Sequence, residues 1–202
     1  MTKRALVMLT AFVAIVVFGG AAMLYSSRDG STPQAVAVSS GDSLVRPHSP
    51  VMGSEAAPVT IVEFFDPSCE ACSAFYPIVK QIMHETGEDV RLVEAARKQD
   101  KFQPVLEALF ANQAEWADHG APDIEKAWQI AAGAGLDLEP ARKDATTPEV
   151  DAVLAQDIAD VKANRVEQTP TFFVNGKPLT EFSPQGLYDL VKTEIQAAKS
   201  GS

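Results

Sequence analysis

Cysteine is scarce in this chain of 202 residues: there are two, Cys69 and Cys72. A disulfide-stabilised scaffold needs more cysteines than this, and a bridge between residues so close would close too small a loop to add much stability. Basic residues are also few, at 17 against 27 acidic ones, which gives a formal net charge of −10. Because an acidic surface repels phosphates, nucleic acid is excluded as an expected partner. The cysteine pair is expected to be reactive rather than structural.

Charge is absent from the beginning of the chain between Ala5 and Ser27, and Lys3 and Arg4 precede this stretch. Its apolar part is about as long as a membrane-spanning helix, and the two basic residues favour a cytoplasmic N-terminus. We interpret residues 1–27 as a signal anchor, with a cleaved signal peptide as the alternative. Either one delivers the domain to the periplasm of a bacterial-type cell envelope, where disulfides persist, as a membrane-anchored or a soluble protein.

The remaining chain divides into a predicted tether and one predicted α/β domain. Residues 28–57 are rich in Ser, Gly, Pro and Asp and predict mostly irregular structure. The domain is predicted over 58–199. The apolar run Pro58–Phe65 predicts a buried strand, Cys69–Glu85 has helical spacing, and Asp89–Val93 predicts a second strand.

A helical insertion is predicted over about 94–166, with helices near 102–117, 122–135, 138–143 and 147–164. Val93 passes directly into the helix-forming stretch Glu94–Lys98 without any turn residue, so an abrupt or distorted junction is expected. Large apolar side chains are expected to form the helical core: Leu106, Phe110, Trp116, Trp128 and Leu154.

Strand patterns return after the insertion. Thr171–Val174 predicts a strand, Asn175-Gly176 is a two-residue hairpin signal, and Lys177–Leu179 predicts the returning strand. Ser183 is expected to cap a final helix that ends near Ala198.

Cys69-Glu-Ala-Cys72 lies where the first predicted strand gives way to a helix. A helix N-terminus stabilises a thiolate through its dipole and unpaired N–H groups, and the thiolate is the reactive form. Cys69 is therefore the expected attacking thiol, and Cys72 can release a partner by attacking a mixed disulfide. Structural zinc requires about four ligands, more than this one cysteine pair supplies. A soft metal held by two thiolates and a structural disulfide remain open as alternatives.

Two further features favour redox chemistry. Glu63 falls within the buried strand, where a carboxylate is costly unless it is useful or paired, and it could relay a proton to or from Cys72. Its alternative is a structural partner of a lysine. Pro170 follows Thr169 directly before a strand, and a cis proline there would leave backbone groups beside the cysteines for pairing with a substrate. An ordinary trans proline is the alternative.

Three segments in this order give the chain a family resemblance: Val62-Glu-Phe-Phe65, Cys69-Glu-Ala-Cys72 and Thr169-Pro-Thr-Phe-Phe-Val-Asn-Gly176. The chain resembles the thioredoxin superfamily, and more narrowly its DsbA-like branch. The resemblance extends over about Val59 to Ala197. It implies an α/β thioredoxin-like fold with an inserted helical subdomain, here preceded by the N-terminal transmembrane or signal segment.

The resemblance also implies roles for particular residues. Cys69 would be the exposed nucleophile and Cys72 the resolving thiol of a redox-active centre. Pro170 would be a cis proline and Thr169 its substrate-facing neighbour. Glu63 matches the buried acidic position beneath the active site.

Two departures from the family pattern stand out. Glu70 and Ala71 lie between the cysteines where the best-known oxidases carry Pro-His. An acidic neighbour disfavours the Cys69 thiolate, so a less oxidising couple is expected. The connection after Val93 also looks shortened by several residues.

The expected function is that of a protein thiol–disulfide oxidoreductase without an organic cofactor. Its expected partners are protein thiols or disulfides of the envelope, an unidentified redox partner and, through its N-terminus, a membrane. A monomer is expected, since no dimerisation segment is evident. The direction of exchange stays open between oxidase, reductase and isomerase. The alternatives are a thiol-based metal-binding protein and a redox-inactive periplasmic chaperone on the same fold.

Overall fold

The computed structural model describes residues 44–94, 101–118 and 121–201. The apolar stretch predicted to span or be cleaved at the membrane lies outside these ranges. Within them, no helix combines the length and the apolar character needed to cross a bilayer.

A five-stranded mixed sheet forms the centre of the domain. Its strands are β1 (Val51–Gly53), β2 (Val59–Phe64), β3 (Val90–Glu94), β4 (Thr171–Val174) and β5 (Lys177–Pro178), in the spatial order β1-β3-β2-β4-β5. β2 pairs in parallel with β3 and antiparallel with β4. Five of its six residues are buried, as in a strand covered on both faces. The predicted buried strand is thus the central strand of the sheet.

Seven α-helices and one 3-10 turn of the described chain surround this sheet or extend from it. The first after β2 is α1 (Glu70–Thr86), followed by a short 3-10 turn (Gly87–Asp89). Five helices lie between β3 and β4: α2 (Phe102–Ala111), α3 (Gln113–Trp116), α4 (Ile124–Gly133), α5 (Leu138–Asp144) and α6 (Pro148–Ala163). The last is α7 (Pro184–Ser200), capped by Ser183 as expected. This is the α/β architecture with an inserted helical subdomain that the resemblance implied.

The two faces of the sheet bury different side chains. Alternate residues of β2, such as Val59 and Ile61, pack against α1 and α7, whereas Val62 and Phe64 belong to a cluster on the opposite face. This alternation follows from the two-residue period of a strand. Glu63 shares the parity of Val59 and Ile61 and therefore points towards the α1 side.

The predicted tether contains a short strand and a buried residue in its C-terminal part. Val51–Gly53 pair antiparallel with β3, and Leu44, 5% exposed, joins the buried cluster on one face of the sheet. The strand is short and lacks a clear alternating pattern, so local sequence does not reveal it. Residues 28–43 lie outside the described part of the chain.

The junction after β3 also differs from expectation. Glu94 belongs to the strand and pairs in register with Glu63, rather than beginning a helix. The remainder of the expected junction, 95–100, is outside the described residues.

The predicted helical core is correct in part. Leu106, Phe110 and Trp116 are buried, but Leu154 is 53% exposed and Trp128 is half-buried. Both line an apolar groove with a volume of about 530 Å³. Helical periodicity identifies an apolar face but does not say whether another element covers it.

A buried ion pair fastens the chain before β1 to the insertion. Asp160 on α6 is 4% exposed, and its carboxylate accepts two hydrogen bonds from Arg46, at 2.8 and 2.6 Å. Gln156 donates a third, at 3.0 Å. Hydrogen bonds from the Arg46 guanidinium, against the opposing effect of burial, hold the pKa of Asp160 below its ordinary value.

Replacing Asp160 by Asn is expected to lower the free energy of unfolding by about 2 kcal/mol at neutral pH, because charge-assisted hydrogen bonds are lost. The pKa of Asp160 is lower in the folded chain than in the unfolded one. Its contribution is therefore complete above the unfolded value of about 3.9 and declines as the pH falls through the folded value. Urea unfolding at several pH values measures this. Glu125→Gln, which breaks the exposed two-bond pair with Arg142, is the matched control and should cost less. An equal loss in both variants would contradict the argument.

Candidate active site

Cys69 sits at the N-terminus of α1, in the position that caps the helix. Its backbone is extended (φ −80°, ψ 120°), and its Sγ accepts a hydrogen bond from the backbone N–H of Cys72 at 3.4 Å. The thiol donates in turn to the carbonyl oxygen of Thr169, also at 3.4 Å. The side chain is partly exposed, so a partner sulfur can reach it.

The surroundings of Cys69 favour its thiolate. Partial burial by itself raises the pKa of this thiol, but hydrogen bonds from the Thr169 side chain and from the backbone N–H groups of Cys72 and Ala71 lower it by more. The net pKa lies below the ordinary value for cysteine. Thr169 and the N–H groups at the helix N-terminus, the latter expected from the position of the motif, together account for this direction.

Cys72 has the opposite environment. It is fully buried in a cluster with Tyr76, Leu106 and Phe110. Burial, together with the neighbouring Cys69, raises its pKa to about 12, against the lowering effect of the Asp66 backbone N–H. That N–H lies 3.5 Å from the Cys72 sulfur. Both thiols are free in this structure, with Cys69 partly exposed and Cys72 buried.

The structure brings the predicted proline segment to the cysteines. The peptide bond between Thr169 and Pro170 is cis, as the resemblance implied. The Thr169 carbonyl contacts Cys69 directly, although the two residues are 100 positions apart in sequence. The following residues continue into β4 and the hairpin, where Asn175 and Gly176 both have positive φ (48° and 79°), as a two-residue turn requires.

The remaining predicted site residues occupy different surroundings. Glu63 is 3% exposed and lies opposite Phe172 of β4 in the register of the sheet. Glu70 and Ala71 are exposed in the first turn of α1. Glu70 was expected to disfavour the Cys69 thiolate, yet the net pKa of Cys69 is lowered because hydrogen bonds outweigh the effect of burial.

Sequence reasoning missed the part played by the loop between β2 and α1. The Asp66 carboxylate accepts hydrogen bonds from both the backbone N–H and the hydroxyl of Ser68, each at 2.7 Å. The Asp66 carbonyl accepts from the Cys69 N–H at 2.9 Å. Asp-Pro-Ser was recognised as a break between two elements, and the tendency of Asp to bond two residues ahead was the signal that could have revealed this turn.

Comparison with known proteins agrees with this geometry. A family model described as Thioredoxin matches residues 46–93 and 88–193. The chain belongs to the thioredoxin family. Its fold is also similar to that of alpha-DsbA1 from Wolbachia pipientis, at 17% identity and a TM-score of 0.63 over 78% of this chain and 96% of that one. The two matched segments meet at 88–93, next to the region where a shortened connection was expected.

Among solved structures, a thioredoxin-like oxidoreductase from Silicibacter pomeroyi DSS-3 is similar at 26% identity and a TM-score of 0.60. The match covers 80% of this chain and 98% of that one. Disulfide bond formation protein D of Bacillus subtilis is 26% identical, with 75% of this chain and 78% of that protein covered. A Na(+)/H(+) antiporter NhaA of Herminiimonas arsenicoxydans is 29% identical over 75% of this chain. The match covers 26% of that antiporter, so this chain spans about a quarter of its length.

Thiol alkylation is expected to separate the two cysteines. In Cys72→Ser, the alkylation rate of Cys69 should rise with pH through an inflection below the ordinary cysteine value of about 8.5, since the folded site stabilises the thiolate. Thr169→Val removes a hydrogen bond to that thiolate, so the inflection should move upward and the rate at neutral pH fall about threefold.

Thr171→Val is the matched control, because its hydroxyl donates to the Gln168 carbonyl and not to the thiol. An inflection at or above the ordinary value in Cys72→Ser would contradict the assignment. So would equal effects of the two threonine substitutions.

Proposed function

We propose that this chain is a protein thiol–disulfide oxidoreductase that exchanges disulfides through Cys69 and Cys72. The observation that carries the proposal is the contrast between the two thiols. Cys69 is accessible and its thiolate is stabilised at a helix N-terminus, whereas Cys72 is buried beside it with a raised pKa. In such a pair, the accessible thiol can react with a substrate and the buried thiol can then form the internal disulfide with it.

Exchange proceeds by two displacements at sulfur. With the pair in its disulfide form, a substrate thiolate attacks the Cys69 sulfur, the Cys69–Cys72 bond breaks, and Cys72 leaves as a thiolate that takes up a proton. A second substrate thiolate then attacks the substrate sulfur of the mixed disulfide and releases the Cys69 thiolate. The substrate has lost two electrons and gained a disulfide, and the cysteine pair holds two thiols. The same steps in reverse reduce a substrate disulfide, and a redox partner restores the starting state.

The buried thiol makes proton transfer part of the chemistry. A Cys72 thiolate is disfavoured by burial, so its proton must be supplied and removed as the bond breaks and forms. We assign this relay to Glu63, a buried carboxyl group on the strand that leads into the active-site loop. Pro170 and Thr169 border Cys69 and would hold an extended substrate segment by main-chain hydrogen bonds.

The proposed setting is the bacterial-type cell envelope. Lys3 and Arg4 before an apolar stretch support an N-terminal anchor with the domain on the periplasmic side; cleavage of that segment would leave a soluble periplasmic protein. Protein thiols and disulfides are the proposed substrates, served by a separate redox partner. The unit is proposed to act as a monomer, and no organic cofactor enters the steps above.

The reduction potential of the Cys69–Cys72 couple tests the proposal. Equilibration of the full chain in glutathione buffers, with the disulfide fraction read by mass spectrometry, should give a value between about −270 and −120 mV, the range from thioredoxin to the strongest oxidant of the superfamily. Cys72→Ser is the control and should retain glutathione on Cys69, because the resolving thiol is gone. If no internal disulfide forms at any buffer ratio, the redox function is rejected. A metal-binding protein or a redox-inactive chaperone would then be the better account.

Glu63→Gln is expected to slow the steps in which Cys72 gains or loses its proton by about tenfold or more at neutral pH. The attack by Cys69 on an external disulfide should be nearly unchanged. Rapid-mixing measurement of mixed-disulfide formation and resolution separates the two. Glu194→Gln is the control, since Glu194 is also buried but lies on α7, where it pairs with Lys177 at 2.6 Å. Equal slowing in both variants, or none in Glu63→Gln, would remove the relay role.

A further inference from the structure

The loop between β2 and α1, the active-site loop, is bonded to the helical insertion through one backbone oxygen of the loop. Gln113, the first residue of α3, donates from Nε2 to the carbonyl oxygen of Pro67 at 2.9 Å. The two residues are 46 positions apart. The bond therefore joins the loop between β2 and α1 to a separate part of the fold.

The same loop carries the hydrogen-bond donor that faces the resolving thiol. The Asp66 N–H lies 3.5 Å from the Cys72 sulfur. Asp66 also closes the loop on itself through Ser68 and the Cys69 N–H. A loop braced internally in this way moves as a unit, so a bond that holds Pro67 also fixes where the Asp66 N–H points.

We propose that Gln113 is a positioning residue for the resolving thiol: by holding the Pro67 carbonyl, it keeps the Asp66 N–H against the Cys72 sulfur. The inference rests on the proposed thiol–disulfide exchange and deepens it. It gives the helical insertion a part in the displacement in which the Cys69–Cys72 bond forms or breaks.

The loop is expected to affect Cys72 and not Cys69, because the two sulfur atoms contact different groups. The Cys69 sulfur contacts the Cys72 N–H and the Thr169 carbonyl, neither of which belongs to the loop; only the Cys69 backbone is bonded to the loop, through Asp66. Cys72 faces the loop through the Asp66 N–H. A buried thiolate gains more from one N–H donor than an exposed one does, because water cannot replace that donor. Loss of the Gln113 bond should therefore make the Cys72 thiolate less stable and leave the stability of the Cys69 thiolate nearly unchanged.

The test uses the reduced full chain and a symmetric nitrobenzoate disulfide that releases a coloured thiolate. Cys69 attacks first, displaces one coloured thiolate and forms a mixed disulfide. Cys72 then loses its proton to solvent by way of Glu63, attacks the Cys69 sulfur and displaces the second, leaving a Cys69–Cys72 disulfide and two reduced reagent thiolates. The two releases appear as a fast and a slow phase, which report the two cysteines separately.

Gln113→Leu removes the donor, and Gln113→Glu keeps the size of the side chain while replacing the donor with an acceptor. In both, the slow phase is expected to slow about threefold to tenfold, the effect of losing one hydrogen bond, and the fast phase to stay within about twofold. Gln103→Leu is the matched control: Gln103 is also a glutamine of the insertion, but it donates to Glu107 at 3.2 Å. Its two phases should equal those of the unaltered chain.

The inference is overturned if the slow phase is unchanged in the folded Gln113 variants, if both phases slow equally, or if Gln103→Leu has the same effect. Circular dichroism identifies a variant that has not folded, and Gln113→Glu decides the matter if Gln113→Leu is lost in that way. Release of a single coloured thiolate by the unaltered chain is a different failure. It would reject exchange through the cysteine pair itself, and with it the proposed function.

Discussion

The chemistry of this domain depends on the turn by which the chain passes from a buried strand into a helix. Cys69 lies just before the helix begins, where N–H groups of the first turn are unpaired and its sulfur accepts one from Cys72 at 3.4 Å. Cys72 lies inside that turn and faces the apolar cluster around Tyr76. Two identical side chains thus acquire opposite pKa directions from a separation of three residues. The position of β2 at the centre of the sheet fixes the turn, because both of its neighbours are paired to it.

The helical insertion is part of this site and not an appendage to it. Leu106 and Phe110 of α2 form the apolar surroundings that bury Cys72. Phe65, in the active-site loop, has edge contacts with the rings of Phe102 and Phe110, at centroid distances of 6.3 and 6.4 Å. The high pKa of the second thiol therefore originates in residues from a segment more than thirty positions away. A thioredoxin-like sheet and its first helix would leave that face of Cys72 without these partners.

The features that were predicted correctly are those written in local patterns. A continuous apolar run identified β2, helical spacing identified α1, and Asn175-Gly176 identified the last hairpin. The features that were missed are contacts between residues far apart. Arg46 and Asp160 are separated by 114 positions, and no periodicity in the sequence predicts their ion pair. Leu154 was placed in the core because its residue type and spacing fit, but covering it would require another element over the same face of α6.

The same distinction explains why the local charge of Glu70 is a poor guide to the reactivity of Cys69. An exposed carboxylate acts on its neighbour through a medium of high dielectric constant. In such a medium the interaction between two unit charges 4 Å apart is only about 1 kcal/mol, and salt screens it further. Hydrogen bonds to sulfur act at contact and are oriented by the fold. They come from Thr169, Cys72 and Ala71, and only the last two residues are close to Cys69 in sequence. The pKa of Cys69 therefore depends on the assembled turn, including the Ala71 N–H between the cysteines, and on the loop before β4.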